Sequence, residues 1–573
     1  MDNKTVAGIF KEIAKILEIK GENVFRIRAY EKAGRIIEGL SEDIETLAEN
    51  DTLRELPGIG KDLAEKIQEI IKTGTLKKYQ ELKKGVPEGV LEMLTIPGLG
   101  PRTVKLFYDS LGIDSLAKLE EAVRGGAIMT LPGIREKTQK NILEGIAHVR
   151  QSAKTTLLGV ALPLAEKILA KVKAVKYVAA AEIAGSLRRR KETVKDIDLL
   201  VVSKKPKAVM DECVGLDFVK QVQAKGLTKT SVIEREHGLQ VDLRVVDKDS
   251  FGAALIYFTG SKAFNIKLRQ LAIKRGYKIN EYGVFAQEET KKEKISRDEE
   301  RIFGFFDMQH IAPELREDTG EIEAALAKHL PRLIRLKDVY GDLHVHSEYS
   351  DGKASISDIA AGGEALGYEY IAVVDHSQGL KIAGGLDPAQ VRKKIDEIKK
   401  VNRNHKKIQI LSGAEVDIHS DGTLDYPPDV LSGFDVVIAA IHGGFKQTKT
   451  QLTKRIVAAC KDKHVNIIAH PTGRLMGLRP GYEIDYKEIF KVAADYQVAL
   501  ELNCFPQRLD LDDIHCRAAK TAGIKIALGS DSHSLRQLQN MKYGVFVARR
   551  GWLEKEDILN CWPKGELLKW LKK

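Results

Sequence analysis

Residues 185–202 read GSLRRRKETVKDIDLLVV. Asp196 and Asp198 stand two apart, with Ile197, Leu199 and Val201 apolar between and after them. On a strand both carboxylates point to one face, roughly 7 Å apart, while the apolar residues face a core. A second alternating run, LQVDLRVV, places Asp242 between Val241 and Leu243. Three carboxylates on one sheet face repel one another unless a cation sits among them, and hard oxygen ligands suit Mg²⁺ or Mn²⁺. Two such metals serve phosphoryl transfer: one activates a hydroxyl and the other steadies the leaving pyrophosphate. Gly185-Ser186 ahead of a helix, followed by Arg188, Arg189 and Arg190, offers amides, a hydroxyl and guanidinium forks to a triphosphate. D-x-D by itself reads as an exposed acidic strand face; the Gly-Ser and the arginines shift that balance.

A second group is rich in histidine. Ten of the fourteen histidines lie between residues 344 and 533. GDLHVHSEYSDG puts His344 and His346 on one strand face with Asp351 just beyond, and later strand-like runs end in Asp375-His376, Glu415, His442, His470 and Asp531-x-His533. Mixed imidazole and carboxylate ligands suit Mn²⁺, Zn²⁺ or Fe²⁺ better than Mg²⁺. His405, His419, His464 and His515 fall outside this pattern.

The third group is a set of Pro-Gly turns: LPGIGKDLAEKI from Leu56, IPGLGPRTVKLF from Ile96 and LPGIREKTQKNI from Leu131, separated by 40 and 35 residues. Glycine permits backbone angles others avoid and lets a phosphate approach the amides of the following helix. No turn is followed by Lys-Ser or Lys-Thr, so nucleotide cradling by a P-loop is not expected. The segments between the turns differ, which favours small helical units reusing one turn over a solenoid.

The elements that must carry these groups follow from periodicity. Residues 1 to 150 read as almost entirely helical. From about residue 175, VKYVAAAEIAG, DIDLLVVS, TSVIEREHG and LQVDLRVV read as strands with helices between, an α+β unit. QEETKKEKISRDEER reads as an exposed loop or linker, and IAPELREDTGEIEAALAKHLPRL as a connector. From Leu336 onward, buried-type strands (YIAVVDHS, IQILSGAEVDI, FDVVIAAIH, VNIIAHP, VALELNC, IKIALGSDSH) alternate with helices, and the polar residues fall at strand C-termini, as in α/β barrels.

Three resemblances attach to these motifs. The Pro-Gly turns resemble the helix-hairpin-helix module, which grips the DNA backbone without reading sequence. That implies DNA contacts at Gly58, Gly60, Gly98 and Gly100, and a K⁺ or Na⁺ held by the carbonyls of Arg54, Leu56, Ile59, Leu94, Ile96 and Leu99. GSLRR with DIDLL follows the nucleotidyltransferase pattern. With VDLRVV, YFTGS, FN-x-x-x-R and INEYG, residues 1 to about 290 resemble the family X DNA polymerases. The resemblance implies that Asp196, Asp198 and Asp242 hold two metals and that Asp242 helps deprotonate the primer 3′-hydroxyl. It gives the triphosphate to Gly185, Ser186 and Arg189, and the sugar pocket to Tyr257, Phe258 and Gly260. Asn265 and Arg269 would face the minor-groove side of the base pair. Lys66 aligns with the lysine that forms a Schiff base on abasic sugar phosphate; such a role needs nearby cations such as Lys61, or partial burial, to release its proton. Lys262 departs from an aspartate common in the animal enzymes.

The histidine-rich half, about residues 337 to 570, resembles the PHP (polymerase and histidinol phosphatase) domain. That implies three metals: one on His344, His346, Glu415 and Asp531, one on Glu415, His442 and His470, and one on Asp351, His376 and His533. The fold expected is therefore multidomain: an all-α helix-hairpin-helix region, an α+β palm and a (β/α) barrel of seven or so strands. The expected boundaries are a lyase-like domain over 1–82, fingers over 83–150, palm over 151–255, a thumb-type nucleotide-selection domain over 256–316, a linker over 317–336 and the barrel over 337–573. The function implied is gap-filling DNA synthesis in repair, joined to a metal-dependent 3′-5′ exonuclease, with abasic-site processing as an extra. The competing readings are a phosphoesterase targeted to DNA by an inactive polymerase-like scaffold, and a DNA-binding scaffold with inert sites.

Composition sets the bounds. At 573 residues the chain exceeds a single core, and its net charge of +11 suits a polyanionic partner. The partners expected are gapped or primed DNA and deoxynucleoside triphosphates, with no membrane, and the chain acting as a monomer. No apolar run reaches the ~20 residues of a membrane span. The first residues lack the pattern of a secretory signal. Five cysteines without a C-x-x-C pair argue against a disulfide framework and place the chain in the cytoplasm, at the nucleoid.

Overall fold

The computed structural model describes residues 3–39, 44–49, 52–56, 58–94, 96, 99–134, 139, 142–143, 146, 155–286, 294–445, 447–476 and 481–572. The chain divides into two compact units, Met1–Lys154 and Thr155–Lys573.

The first unit is helical. Helix Asn3–Ile19 buries Val6, Phe10, Ile13, Ala14 and Leu17, a spacing of three and four that gives one apolar stripe. The Pro-Gly repeat in the sequence is a repeat in the structure. Ile59 N donates to Leu56 O and Leu99 N to Ile96 O; Ala64 N donates to Gly60 O and Val104 N to Gly100 O. Gly60 and Gly100 are extended N-caps of helices Lys61–Thr73 and Pro101–Leu111, and both helices end in a left-handed glycine, Gly74 and Gly112. Gly58 has φ +99°, a backbone conformation that side chains rarely adopt, so the turn needs glycine. Gly98 lies outside the described residues, as do most residues from 135 to 154.

The second unit opens on a five-stranded sheet ordered Ala180–Ile183, Asp196–Val202, Gln240–Val246, Lys229–Glu234, Val219–Lys225. The second and third of these are parallel and the other pairs antiparallel. The edge strand Val219–Lys225 was not expected: after Val219 all its residues are exposed, so it carries no apolar alternation. The sheet leads into helices Phe251–Thr259 and Lys262–Lys274 and the hairpin Tyr277–Asn280/Gly283–Ala286. Two expectations change here. The charged run read as an exposed loop closes, from residue 294 on, against the core: Ser296 and Glu299 are buried and Asp298 caps helix Glu299–Phe305. The stretch 317–336 is a packed segment, with Glu321, Ile322, Ala325 and Ile334 buried.

Seven parallel strands come next in sequence order, from Gly341–Val345 to Ile526–Gly529. A parallel bridge between Val345 and Ser532 brings the last strand's end beside the first, giving a nearly closed barrel. Asn560 staples the seam: its amide bonds Leu528 N, Leu528 O and Gly341 O at 2.7 to 2.9 Å. The barrel interior (Leu343, Ala372, Leu411, Ile438, Ala440, Ile467) is continued by Leu567 and Leu571 of the C-terminal helix Lys564–Leu571, which plugs one end. Among the described residues, no helix is long and apolar enough to cross a membrane.

Candidate functional sites

On the sheet, Asp198 and Asp242 are direct register partners, and Asp196 lies opposite Gln240. Ile197, Leu199 and Val201 are buried behind them. Gly185 sits at φ +62°, and a Cβ there would lie 2.1 Å from Asp198 Oδ2, so this residue is glycine because a carboxylate occupies the space. Burial and the neighbouring Asp196 and Asp242 push Asp198 up to about 7. Burial and Asp242 raise Asp196 as well. Asp242 goes the other way: against its burial, bonds from Ser231, Lys229 and Gln240 lower it. Lys229 Nζ lies 3.0 Å from Asp242 Oδ2 and lends a positive charge. Asp198, Asp242, Lys229, Arg244 and Phe258 line a cleft of about 50 Å³. An all-carboxylate set with a strained charge balance fits hard divalent cations.

Of the expected nucleotide residues, Phe258 lines this cleft and Gly185 packs on Asp198, whereas Tyr257, Asn265 and Arg269 line a second, smaller pocket. Ser186 lies on a single helical turn, Gly185–Arg188. Arg189 is held: its Nε donates to Glu317 Oε1 at 3.0 Å and its Nη1 to the carbonyl of Thr259. Arg188 makes a fork with Glu299, at 2.8 and 2.6 Å. Tyr257 and Phe258 meet edge-on, with Arg269 over the first ring at 5.6 Å and Arg244 over the second at 4.6 Å. Gly260 has φ +66°. Asn265 is buried and donates to the carbonyl of Tyr257 at 2.7 Å, which fixes the turn that presents both aromatics.

In the barrel, all nine expected ligands converge at the strand C-termini. His344 Nε2 and His346 Nε2 are 3.0 Å apart, and Asp531 Oδ1 is 3.7 and 3.4 Å from them. Glu415 is central: Oε1 is 2.9 Å from His470 and 3.2 Å from His442, and Oε2 is 3.0 Å from His376 and 3.5 Å from His344. Asp351 is 3.5 Å from His376 and 3.3 Å from His533. Three groups have all their ligand atoms within 4.8 Å: His346, Asp351, His376 and His533; His344, His346 and Asp531; and His376, Glu415 and His442. This divides the ligands differently from the resemblance, with His346 and His376 each shared between groups. His470 and Asp531 take positive φ, 24° and 52°, a backbone cost found where geometry is over-determined by function. Nδ1 of His346 and of His470 is buried without a hydrogen bond. Imidazoles and carboxylates aimed at one another, with orphaned ring nitrogens among them, fit borderline divalent metals. Against the burial that lowers them, Glu415 pushes His376 up to about 10 and His442 up to about 9. Burial drops His346 to about 4.

Supporting residues were missed in the sequence. Glu501 Oε1 is 2.7 Å from His344 Nδ1, and its Oε2 accepts the His470 N–H at 2.5 Å, so one carboxylate orients two ligands. The signal was there: an acid inside the buried run VALELNC. Asp417 is 3.2 Å from His442 Nδ1, and Arg508 is 3.2 Å from Asp531. The four histidines left out each sit by a local acid: His405 by Glu364, His419 by Asp425, His464 by Asp462 and His515 by Asp512.

In the helical unit, Lys66 is largely buried, with 17% of its side chain exposed, and it is ion-paired to Asp62. Burial is one of the two conditions that activate an amine nucleophile; the charged group paired with Lys66, however, is an acid and not a cation. Arg54, Leu56, Ile59, Leu94, Ile96 and Leu99 lie in the two equivalent turns described above.

Comparison with known proteins bears on the whole chain. The chain is 39% identical, over 562 residues and 98% of each sequence, to the DNA polymerase/3′-5′ exonuclease PolX of Bacillus subtilis (strain 168). The chain belongs to the PolX family. Its parts match a helix-hairpin-helix domain over residues 1–76, a SAM-like helix-hairpin-helix tandem over 90–147, the DNA polymerase beta thumb over 254–317 and the PHP domain over 342–504. DNA polymerase lambda of Rattus norvegicus is 27% identical over 294 residues, 48% of each chain. A probable phosphatase of Citrobacter koseri is 31% identical over 248 residues, 40% of this chain and 93% of that protein. Each of these two covers only part of this chain.

Proposed function

We propose that this member of the PolX family fills short gaps in DNA repair, working from two separate active sites. The chain is a DNA-directed DNA polymerase that also carries a metal-dependent 3′-5′ exonuclease in its barrel. The observation that carries the polymerase reading is the register of Asp198 against Asp242 on parallel strands, packed on Gly185. Asp196, Asp198 and Asp242 would hold Mg²⁺ or Mn²⁺, which supplies charge neutralisation at the transferring phosphate. By the family resemblance Asp242 would accept the proton of the primer hydroxyl, and its contacts with Lys229 and Gln240 support a role for them in orienting it. Ser186 and Arg189 bind the triphosphate, and Tyr257, Phe258 and Gly260 exclude a 2′-hydroxyl.

In the barrel, His344, His346, Asp351, His376, Glu415, His442, His470, Asp531 and His533 would hold up to three Mn²⁺, Zn²⁺ or Fe²⁺ ions. A bound metal lowers the pKa of a water and supplies the nucleophile, so no serine or cysteine is needed; the five cysteines are buried. Glu501 and Asp417 fix the rings. The helix-hairpin-helix turns grip DNA phosphates, with K⁺ or Na⁺ at their carbonyls. The domain boundaries expected from the sequence remain a proposal, with 317–336 a packed connector and not a free linker. We place the chain in the cytoplasm, at the nucleoid, as a monomer on gapped or primed DNA, and the free cysteines support a reducing compartment. The match to a probable phosphatase supports a second barrel substrate, a phosphomonoester at a DNA 3′ end.

Nucleotide incorporation on gapped DNA tests the polymerase site. Asp242→Ala is expected to abolish incorporation and keep gapped-DNA affinity. Undiminished synthesis by that variant contradicts the assignment.

A further inference from the structure

The loop between the phosphate arginines and the catalytic aspartates is tied down from the barrel side. Glu192 pairs with Arg474, on the loop after His470, at 2.6 Å. Helix Met541–Arg550 ends in Arg550, whose side chain is 2% exposed. Arg550 Nη1 donates to Glu317 Oε1 at 3.0 Å and to the main-chain carbonyl of Arg189 at 2.9 Å. Its Nη2 donates to Asp513 Oδ2 at 2.5 Å. The same Glu317 oxygen accepts from Arg189 Nε at 3.0 Å and has Lys191 Nζ at 3.7 Å. Arg189 Nη1 bonds the carbonyl of Thr259, so Nη2 is the nitrogen outside these bonds.

We propose that Arg550, a barrel-domain residue, is a positioning residue of the polymerase site that acts on Arg189 through Glu317. The inference rests on the reading of Arg189 as a triphosphate ligand. A carboxylate with a single cationic partner holds it closely; shared among several, it holds each less. Arg550 draws part of the Glu317 charge to itself and anchors the Arg189 backbone. The guanidinium of Arg189 stays aimed, and the incoming triphosphate competes for it on better terms. Asp513 sets how much of Arg550 is available to Glu317. Removing Arg550 leaves Glu317 to Arg189 and Lys191, so nucleotide binding weakens while the aspartate chemistry is untouched.

The test is steady-state nucleotide incorporation by the full chain on gapped DNA. Arg550→Ala is expected to raise the nucleotide KM about tenfold, the worth of roughly one charge-assisted hydrogen bond, with kcat unchanged. Arg550→Lys should restore part of the loss. Asp513→Asn should lower KM, because Arg550 then turns wholly to Glu317; a merely structural role would move both variants the same way. In a Glu317→Gln background, Arg550→Ala should cost less than it does alone, because only its bond to the Arg189 carbonyl is then left to lose. Primer degradation by the barrel should be unchanged in Arg550→Ala, which also checks that the variant folds. If it does not fold, Asp513→Asn and Glu317→Gln carry the test, and an unaltered KM in both overturns the proposal. Additive effects of Arg550→Ala and Glu317→Gln, or a fall in kcat alone, overturn it too. Arg189→Ala separates the underlying reading. If its KM is normal, Arg189 does not bind triphosphate and the reading falls. If its KM rises while that of Arg550→Ala does not, the reading stands and the proposal falls.

Discussion

Asp198 faces Asp242 across parallel strands, and Glu501 reaches back to His344 from a strand far along the chain. The first pairing was legible because D-x-D on an alternating run fixes which face the carboxylates share. The second was not, because an orienting carboxylate is defined by the ligand it touches, and sequence does not show that contact. Glu501→Gln is expected to weaken Mn²⁺ binding about 10- to 100-fold, the usual cost of losing such a partner, and to lower exonuclease activity with it while incorporation stays normal. Metal titration checks this, and an unchanged affinity contradicts it. Lys66 shows another case: its alignment was legible, but its ion pair with Asp62 was not. Borohydride trapping on an incised abasic site should increase in Asp62→Asn and vanish in Lys66→Ala. Equal trapping by Lys66→Ala rules the lysine out as the nucleophile.

Elements with a strong period or a fixed turn were readable: the barrel strands by their apolar runs, and the hairpins by Leu56/Ile96 and Gly60/Gly100. Strand Val219–Lys225 was not, since its pairing comes from the sheet edge and not from apolar residues of its own. Nor was the burial of Glu299, which sits in a charged run and is covered only because Arg188 and Arg316 arrive from elsewhere. Burial raises the Glu299 carboxyl, but Arg316 and then Arg188 and His310 outweigh it and hold it well below the usual range. A carboxylate depressed on folding stabilises above its unfolded value, about 4.3, and loses that contribution as pH falls through the folded value. Glu299→Gln leaves the buried Arg316 and the half-buried Arg188 without their anion and is expected to cost about 3–5 kcal/mol near pH 7. Urea midpoints from pH 7 down to pH 3 should show the gap between wild type and variant narrowing only in the most acid range. A gap that does not change with pH contradicts the ion-pair account.

At the scale of the molecule, the order of parts was legible because each part carries a motif that depends on its own local geometry. How the palm meets the barrel was not, because residues such as Glu192, Glu317, Arg474 and Arg550 belong to no motif and matter only where the two surfaces touch. One chain holds two centres, one joining and one cleaving phosphodiesters, each with its own ligands. A 5′-labelled primer on gapped DNA with Mn²⁺, incubated with and without nucleotides, tests it in wild type, Asp242→Ala and His344→Ala. The account predicts extension and degradation by wild type, degradation alone by Asp242→Ala and extension alone by His344→Ala. Loss of both activities in either variant, or primers left intact by wild type while it hydrolyses a small phosphomonoester, would contradict it.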